Sequence, residues 1–174
     1  MSTQPNPKPV IGITCGDING IGPEIIIKAL SDNRINEWCV PVVFGNNKIL
    51  NFYRKGLHDY HFNYTQTRDF TKLNHRQTNI FNCWEEDVNI LPGELNETGG
   101  QYAAKSLLAA ASALKEGNID ILVTSPVHKS NIYGENFPFT GHTPFLKSFF
   151  ELKDVVMLMA AGNFRMGLVT EHIP

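Results

Sequence analysis

The residues best suited to chemistry crowd into two neighbouring segments, Thr124-Ser125-Pro126-Val127-His128-Lys129 and Phe137-Pro138-Phe139-Thr140-Gly141-His142-Thr143. A neutral imidazole is a good ligand for zinc and similar divalent ions. Lys129 can pair a phosphate or carboxylate as a point charge, or stand solvated on the surface. Thr140 and Thr143 can hydrogen-bond a small polar ligand, or simply close a turn. His142 sits between Gly141 and Thr143, so backbone, imidazole and hydroxyl can all approach one ligand. His172 stands near the end of the chain beside Glu171. His58, His61 and His75 fall in a polar, poorly patterned middle and read as surface residues. No H-x-x-x-H spacing occurs, so spacing alone does not establish a metal site.

A second candidate is the loop Cys15-Gly16-Asp17-Ile18-Asn19-Gly20-Ile21-Gly22. It follows a β-rich run and precedes a helical pattern, the context that a phosphate-cradling loop requires. Its G-x-x-x-G-x-G spacing is neither the dinucleotide fingerprint nor a P-loop. A tight turn needing positive φ explains the glycines equally well. Asp17, the acid within this loop, is either a helix-side hydrogen-bond acceptor or a carboxylate facing a substrate.

These loops need elements to hold them. Residues 10–14 form a short β-rich run, and Ile25, Ile26, Ala29 and Leu30 then fall at helical spacing. Pro23 suits the first helical position and Glu24 complements the helix dipole. A second apolar run at 40–44 closes a βαβ unit, expected to be right-handed. Residues 46–54 read as a short helix, and Phe62, Tyr64, Ile80, Phe81 and Trp84 hint at short strands. Gly99-Gly100 opens a longer helix with Ala103, Leu107, Ala111 and Leu114 on one face, which Gly117 is placed to end. Residues 119–123 read as a buried strand emptying into the first segment. Runs at 155–160 and 165–170, separated by Ala161-Gly162-Asn163-Phe164, signal a hairpin. The pattern predicts a mixed α/β sheet with helices on its faces and a ligand at the carboxyl ends of the strands.

Composition narrows the function. A chain of 174 residues, 42% apolar and 18% charged, suits one ordinary soluble domain or part of a larger one. A net charge of -2 gives no basic footprint for nucleic acid, and scattered cations give no polybasic membrane patch. No apolar run reaches the ~20 residues of a spanning helix, and the polar N-terminus does not describe a signal peptide. Three cysteines without paired spacing fit reduced thiols in the cytoplasm. Because the chain stops at Glu171-His172-Ile173-Pro174, just after an expected core strand, residues 1–174 are read as the N-terminal portion of a longer protein.

Taken in order, Gly16-Asp17-Ile18-Asn19-Gly20-Ile21-Gly22-Pro23-Glu24, Ser125-Pro126-Val127-His128-Lys129, Phe137-Pro138-Phe139-Thr140-Gly141-His142-Thr143 and Thr170-Glu171-His172-Ile173-Pro174 resemble the 4-hydroxythreonine-4-phosphate dehydrogenase family of vitamin B6 synthesis. The resemblance implies a homodimeric, two-domain, three-layer α/β/α enzyme of the isocitrate/isopropylmalate dehydrogenase-like type. Such enzymes oxidise the secondary hydroxyl of 4-phosphooxy-L-threonine with NAD or NADP. The keto acid then loses carbon dioxide to give 3-amino-2-oxopropyl phosphate, a precursor of pyridoxal phosphate. By the same resemblance His142 and Thr143 contact substrate, and His172 binds a divalent metal (zinc, magnesium or cobalt). His128 and Lys129 match a family motif and, with Asp17, are expected to line the site.

The implied metal would act as a Lewis acid on the substrate hydroxyl and then stabilise the enolate left by decarboxylation. The nicotinamide accepts the hydride. Two departures stand out. Pro144 replaces the acid that usually follows the Gly-His-Thr motif. The family also places two further metal-binding histidines, and most phosphate and cofactor contacts, in a second half that this sequence lacks, so the chain alone is expected to be inactive. Two alternatives stay open: a paralogue acting on another phosphorylated hydroxy acid, such as a phosphorylated four-carbon sugar acid, and a non-catalytic phosphate-ligand-binding domain.

Overall fold

In the computed structural model, which describes residues 7–169, β2 (Val40–Gly45) is buried along its whole length and forms the centre of the molecule. An apolar strand buried on both faces is the mark of a parallel sheet covered by helices. β1 (Val10–Thr14) and β4 (Thr78–Asn82) flank it in parallel register, β3 (Tyr64–Thr67) lies outside β4, and β5 (Ile121–Val123) lies outside β1. The order is β3-β4-β2-β1-β5. The helices are α1 (Gly22–Leu30), α2 (Ile35–Trp38), α3 (Asn47–Arg54), α4 (Glu97–Lys115), α5 (Lys129–Ile132) and α6 (His142–Phe149).

Strand periodicity divides the core in two. Ile13, Val43 and Ile80 point to one face, where they pack with Ile26 and Ile27 of α1 and Leu50 of α3. Val42, Phe44 and Phe81 point to the other, against Ala110 and Ala113 of α4 and Ile119. This gives the expected α/β/α layering. Each such buried aliphatic contributes about 1.5–3 kcal/mol.

Caps account for where the helices begin. The Asn46 side chain accepts the Lys48 amide at 2.8 Å to start α3. Asn96 accepts the Gly99 amide at 2.9 Å, so α4 begins at Glu97, ahead of the expected glycine pair. Gly117 closes α4 as expected: its φ is +74°, and the amide of Asn118 reaches back to the Ala113 carbonyl at 2.9 Å.

Three expectations change. The run at 119–123 is not a wholly buried strand: only Ile121–Val123 pairs, and only with β1, leaving Ile121 47% and Val123 46% exposed at the sheet's edge. The hairpin forms, as antiparallel β6 (Leu158–Ala161) and β7 (Phe164–Gly167), but as a separate two-stranded sheet. The central sheet is therefore parallel throughout the described residues. The third change is α6, which the sequence reading did not anticipate: the segment ending in His142 and Thr143 runs straight into a helix. Phe145, Leu146, Phe149 and Phe150 repeat at helical spacing and pack against the aromatics ahead of it.

Candidate functional site

The connections around β1 part in opposite directions. α1 covers one face on the way to β2, whereas α4 covers the other face on the way to β5. The carboxyl ends of β1 and β5 therefore flank a topological switch point, where open α/β sheets take their ligands. Both sequence-selected loops start there.

The two loops are bonded to each other. The Ser125 amide donates to Thr14 Oγ1 at 3.0 Å, and the Asp17 amide donates to the Pro126 carbonyl at 3.1 Å. Gly16 has φ +68°, and a Cβ there would lie 3.0 Å from Ser125 Cβ and nearer still to the Pro126 carbonyl. Only glycine suits such a position. The amides of Asp17, Asn19 and Gly20 are all donated inside the protein. The glycine loop is thus a tight turn braced on the second loop, and these amides cannot cradle a phosphate.

Asp17 takes the first of its two roles, a hydrogen-bond acceptor beside a helix. It is only 7% exposed. Its Oδ1 accepts the Asn19 amide at 2.8 Å, and its Oδ2 accepts the Asn131 side-chain amide at 2.7 Å. Asn131 also donates to the Asn96 carbonyl at 3.0 Å, while the Asn19 side chain donates to Asn96 Oδ1 at 3.0 Å. Asp17 forms no ion pair among the described residues. Amide donors and the N-terminal end of α4 at Gly99 compensate its charge instead.

Pro126 and Val127 form a ridge between two cavities. On the glycine-loop side, about 290 Å³ is lined by Asp17, Asn19, Glu94 and His128 among others. On the other side, about 570 Å³ is lined by Lys129, Thr140, His142, Thr143, Lys147 and Met157 together with small and proline residues. The structure therefore brings Lys129, His142 and Thr143 together and puts Asp17 and His128 across the ridge. The His128 side chain caps α5, with Nδ1 accepting the Ser130 amide at 3.3 Å. His172 lies outside the described residues.

Aromatic packing positions His142 and Thr143. The Phe145 ring sits 5.0 Å from Phe137, 5.5 Å from Phe139 and 5.3 Å from Phe149, centroid to centroid, which docks α6 against its own leading loop. His142 Nε2 is buried without a hydrogen-bond partner, and burial holds the imidazole pKa below its ordinary value. The ring is accordingly neutral near pH 7, with unspent hydrogen-bonding capacity. Among the described residues no group of three or more His, Cys, Asp or Glu side chains could hold a metal ion.

Sequence reasoning missed Asn19, Asn96, Asn131 and Lys147. Asn96 carried a readable signal, an asparagine directly ahead of Glu97 at a helix start. Asn131 carried none, because its partners Asp17 and Asn96 are remote in the chain.

Comparison with known proteins agrees with this architecture. Residues 37–174 match the family described as pyridoxal phosphate biosynthetic protein PdxA. The 4-hydroxythreonine-4-phosphate dehydrogenase of Bacteroides thetaiotaomicron is 34% identical over 165 residues, covering 94% of this chain and 45% of that protein. A protein of Oceanobacillus iheyensis named "Putative D-threonate 4-phosphate dehydrogenase" is 30% identical over 171 residues, covering 95% of this chain and 51% of its own length. The crystal structure of a 4-hydroxythreonine-4-phosphate dehydrogenase from Burkholderia phymatum superposes with a TM-score of 0.83 at 27% identity, over 97% of this chain and 52% of that one. The chain spans about half the length of the curated relatives it matches.

Proposed function

The chain belongs to the pyridoxal phosphate biosynthetic protein PdxA family, and on that premise we propose that it forms the N-terminal portion of a cytoplasmic, homodimeric dehydrogenase of phosphorylated hydroxy acids. The substrate is 4-phosphooxy-L-threonine, oxidised at its secondary hydroxyl and decarboxylated to 3-amino-2-oxopropyl phosphate. The observation that carries this reading is the cavity shared by His142, Thr143 and Lys129 at the switch point of a parallel sheet. The relative named for this activity supports it.

His142 and Thr143 hold the substrate. A neutral imidazole offers one acceptor and one donor, and the Thr143 hydroxyl offers both. Lys129 supplies positive charge to the same space, and the aromatic seat of α6 fixes the pair against reorientation. The Asp17–Asn131–Asn96 bonds act at one remove, locking α5, and with it the start of Lys129, onto the glycine loop and α4.

NAD or NADP accepts the hydride when bound. The described residues do not fit a dinucleotide cradle, since the glycine-loop amides are spent internally, and no cofactor contact is assigned to them. They also supply no three-ligand metal cluster. Binding of zinc, magnesium or cobalt through His172 is part of the same reading. Its check is the metal content of the intact protein before and after His172→Ala.

A second reading has its own support in the relatives named for D-threonate 4-phosphate, a phosphorylated four-carbon sugar acid with a hydroxyl in place of the amino group. Incubating the intact protein with each substrate, both nicotinamide nucleotides and divalent metal separates the two by relative kcat/KM. Reduced nucleotide from neither substrate ends both readings.

A further inference from the structure

The two edges of the central sheet differ in chemistry. On one side it ends with β3, Tyr64-Thr65-Gln66-Thr67, whose side chains meet polar neighbours. Thr65 Oγ1 donates to Gln77 Oε1 at 3.2 Å, and the Asn82 amide donates to Gln66 Oε1 at 3.2 Å. A short polar strand of this kind suits a true sheet edge. On the other side the sheet ends with β5, Ile121-Leu122-Val123, a sequence suited to the interior of a parallel sheet. Among the described residues β5 pairs with β1 alone.

One face of β5 is covered and the other is not. Leu122 packs under α4. Ile121 and Val123 lie in register beside Ile11 and Ile13, on the α1 side of the sheet, and remain nearly half exposed. Over β1 an open groove of about 500 Å³ is lined by Ile11, Ile13, Ala29, Ile35 and Trp38 among others, and its lining among the described residues carries no charged side chain. Trp38 is 73% exposed. Ile25 and Ile21 precede Ala29 by four and eight residues, so they continue its stripe along α1, and both are exposed. A contiguous apolar surface of this kind marks an interaction site.

We infer that a helix with one apolar face, from the polypeptide that the relatives possess beyond this chain, seats in this groove, and that a strand of the same polypeptide pairs with the free edge of β5. This rests on the reading of the chain as a portion of a longer protein, and not on the identity of the substrate. The chain spans about half the length of its curated relatives, so ample polypeptide is at hand. A second copy of the chain fits worse. β5 is three residues long, and two such edges meeting about a twofold axis would pair at most those residues and leave each groove open. Because β5 runs straight into Thr124 and Ser125, the added strand also braces the Pro126–Val127 ridge between the two cavities.

The test uses the intact protein and two independent readouts. Val123→Cys and Ile25→Cys place thiols on the proposed interface, and Gln66→Cys places one on the opposite, polar edge. Timed maleimide labelling is read peptide by peptide by mass spectrometry, with circular dichroism to certify that each variant is folded. Labelling at positions 123 and 25 should be at least about tenfold slower than at position 66, since it requires the docked segment to open, and guanidinium should abolish the difference. Equal rates at the three positions overturn the inference. Trp38→p-benzoylphenylalanine then identifies the cover. Irradiation should cross-link it, within one molecule, to a peptide beyond residue 174. A cross-link between two molecules would overturn the inference in favour of a second copy. An intact mass equal to that of residues 1–174 would discard the longer-protein reading itself. A longer protein that labels freely at positions 123 and 25 would keep that reading and discard the docked segment.

Discussion

Gly100→Ala reverses a familiar rule. Inside an exposed helix this change stabilises by about 1 kcal/mol, because alanine is the better helix former. Gly100 lies in the first turns of α4, but a Cβ there would stand 2.7 Å from the Ile132 amide nitrogen and overlap the Asn131 carbonyl. Both obstacles are backbone, so no rotamer change relieves them. α5 cannot retreat freely, because Ile132 is buried in the α4 cluster and the Asn131 side chain is bonded to Asp17 and Asn96.

The overlap costs ~1–3 kcal/mol as overpacking. If α5 shifts to relieve it, the charge-assisted bond to Asp17 is lost, at ~1.5–3 kcal/mol. These are alternatives, so against the ~1 kcal/mol gain in propensity the net is a loss of up to about 2 kcal/mol. Urea unfolding of the intact protein, followed by far-ultraviolet circular dichroism, measures it. Gly134→Ala is the control: its Cβ meets nothing within 4 Å, and a small gain of ~0.4–1 kcal/mol is expected. A Gly100→Ala protein at least as stable as the wild type would refute the close packing of α4 on α5, and with it the placement of Lys129.

Asp17→Ala removes the acceptor that joins three segments and should cost about 2–4 kcal/mol in the same urea experiment, far more than an exposed carboxylate would. Burial pushes the Cys15 thiol up to about 12 and raises those of Cys83 and Cys39 as well, so all three should resist iodoacetamide at pH 8 and react fully only in denaturant, as read by mass spectrometry. For His142, burial lowers the folded-state pKa below 6.5, so the unfolded chain binds the proton more readily. Stability should therefore fall as pH drops below 6.5, and His142→Gln should shrink that fall in the urea midpoint.

How much of this could be read in advance depended on the range of the interactions. β1, α1 and β2 announce themselves by local periodicity, with Pro23 and Glu24 marking the helix start. The hairpin turn and the Gly117 cap were likewise set by adjacent residues. β5 was harder. An apolar run looks the same whether neighbours cover it or not, and the exposure of Ile121 and Val123 follows from pairing with β1 alone. At the site, His142, Thr143 and Lys129 were legible as chemistry, but not their separation from Asp17 and His128 by the Pro126–Val127 ridge. That separation arises from the Asp17–Pro126 backbone bond, between residues far apart in the chain.

The residues that hold the site together are different from those that perform its chemistry, and they face different physical demands. Asp17, Asn19, Asn96 and the side-chain nitrogen of Asn131 bond to one another and to backbone, leaving only Asn131 Oδ1 among them buried and unpartnered, which favours a single arrangement of three remote loops. The residues across the ridge do the opposite. His142 Nε2 is buried and unpartnered, and the Lys129 and Lys147 side chains stand exposed at the same cavity. A buried polar atom left without a partner costs stability, and one that borders a cavity can be met by a ligand there. An unpartnered imidazole nitrogen beside one cavity, next to a hydrogen-bonded network that fixes its support, is what a pre-organised ligand site requires of its free state. The free His142 Nε2, set beside the wider of the two cavities while the Asp17 carboxylate is already bonded on both oxygens, is thus the physical argument that the ligand enters beside His142 rather than beside Asp17.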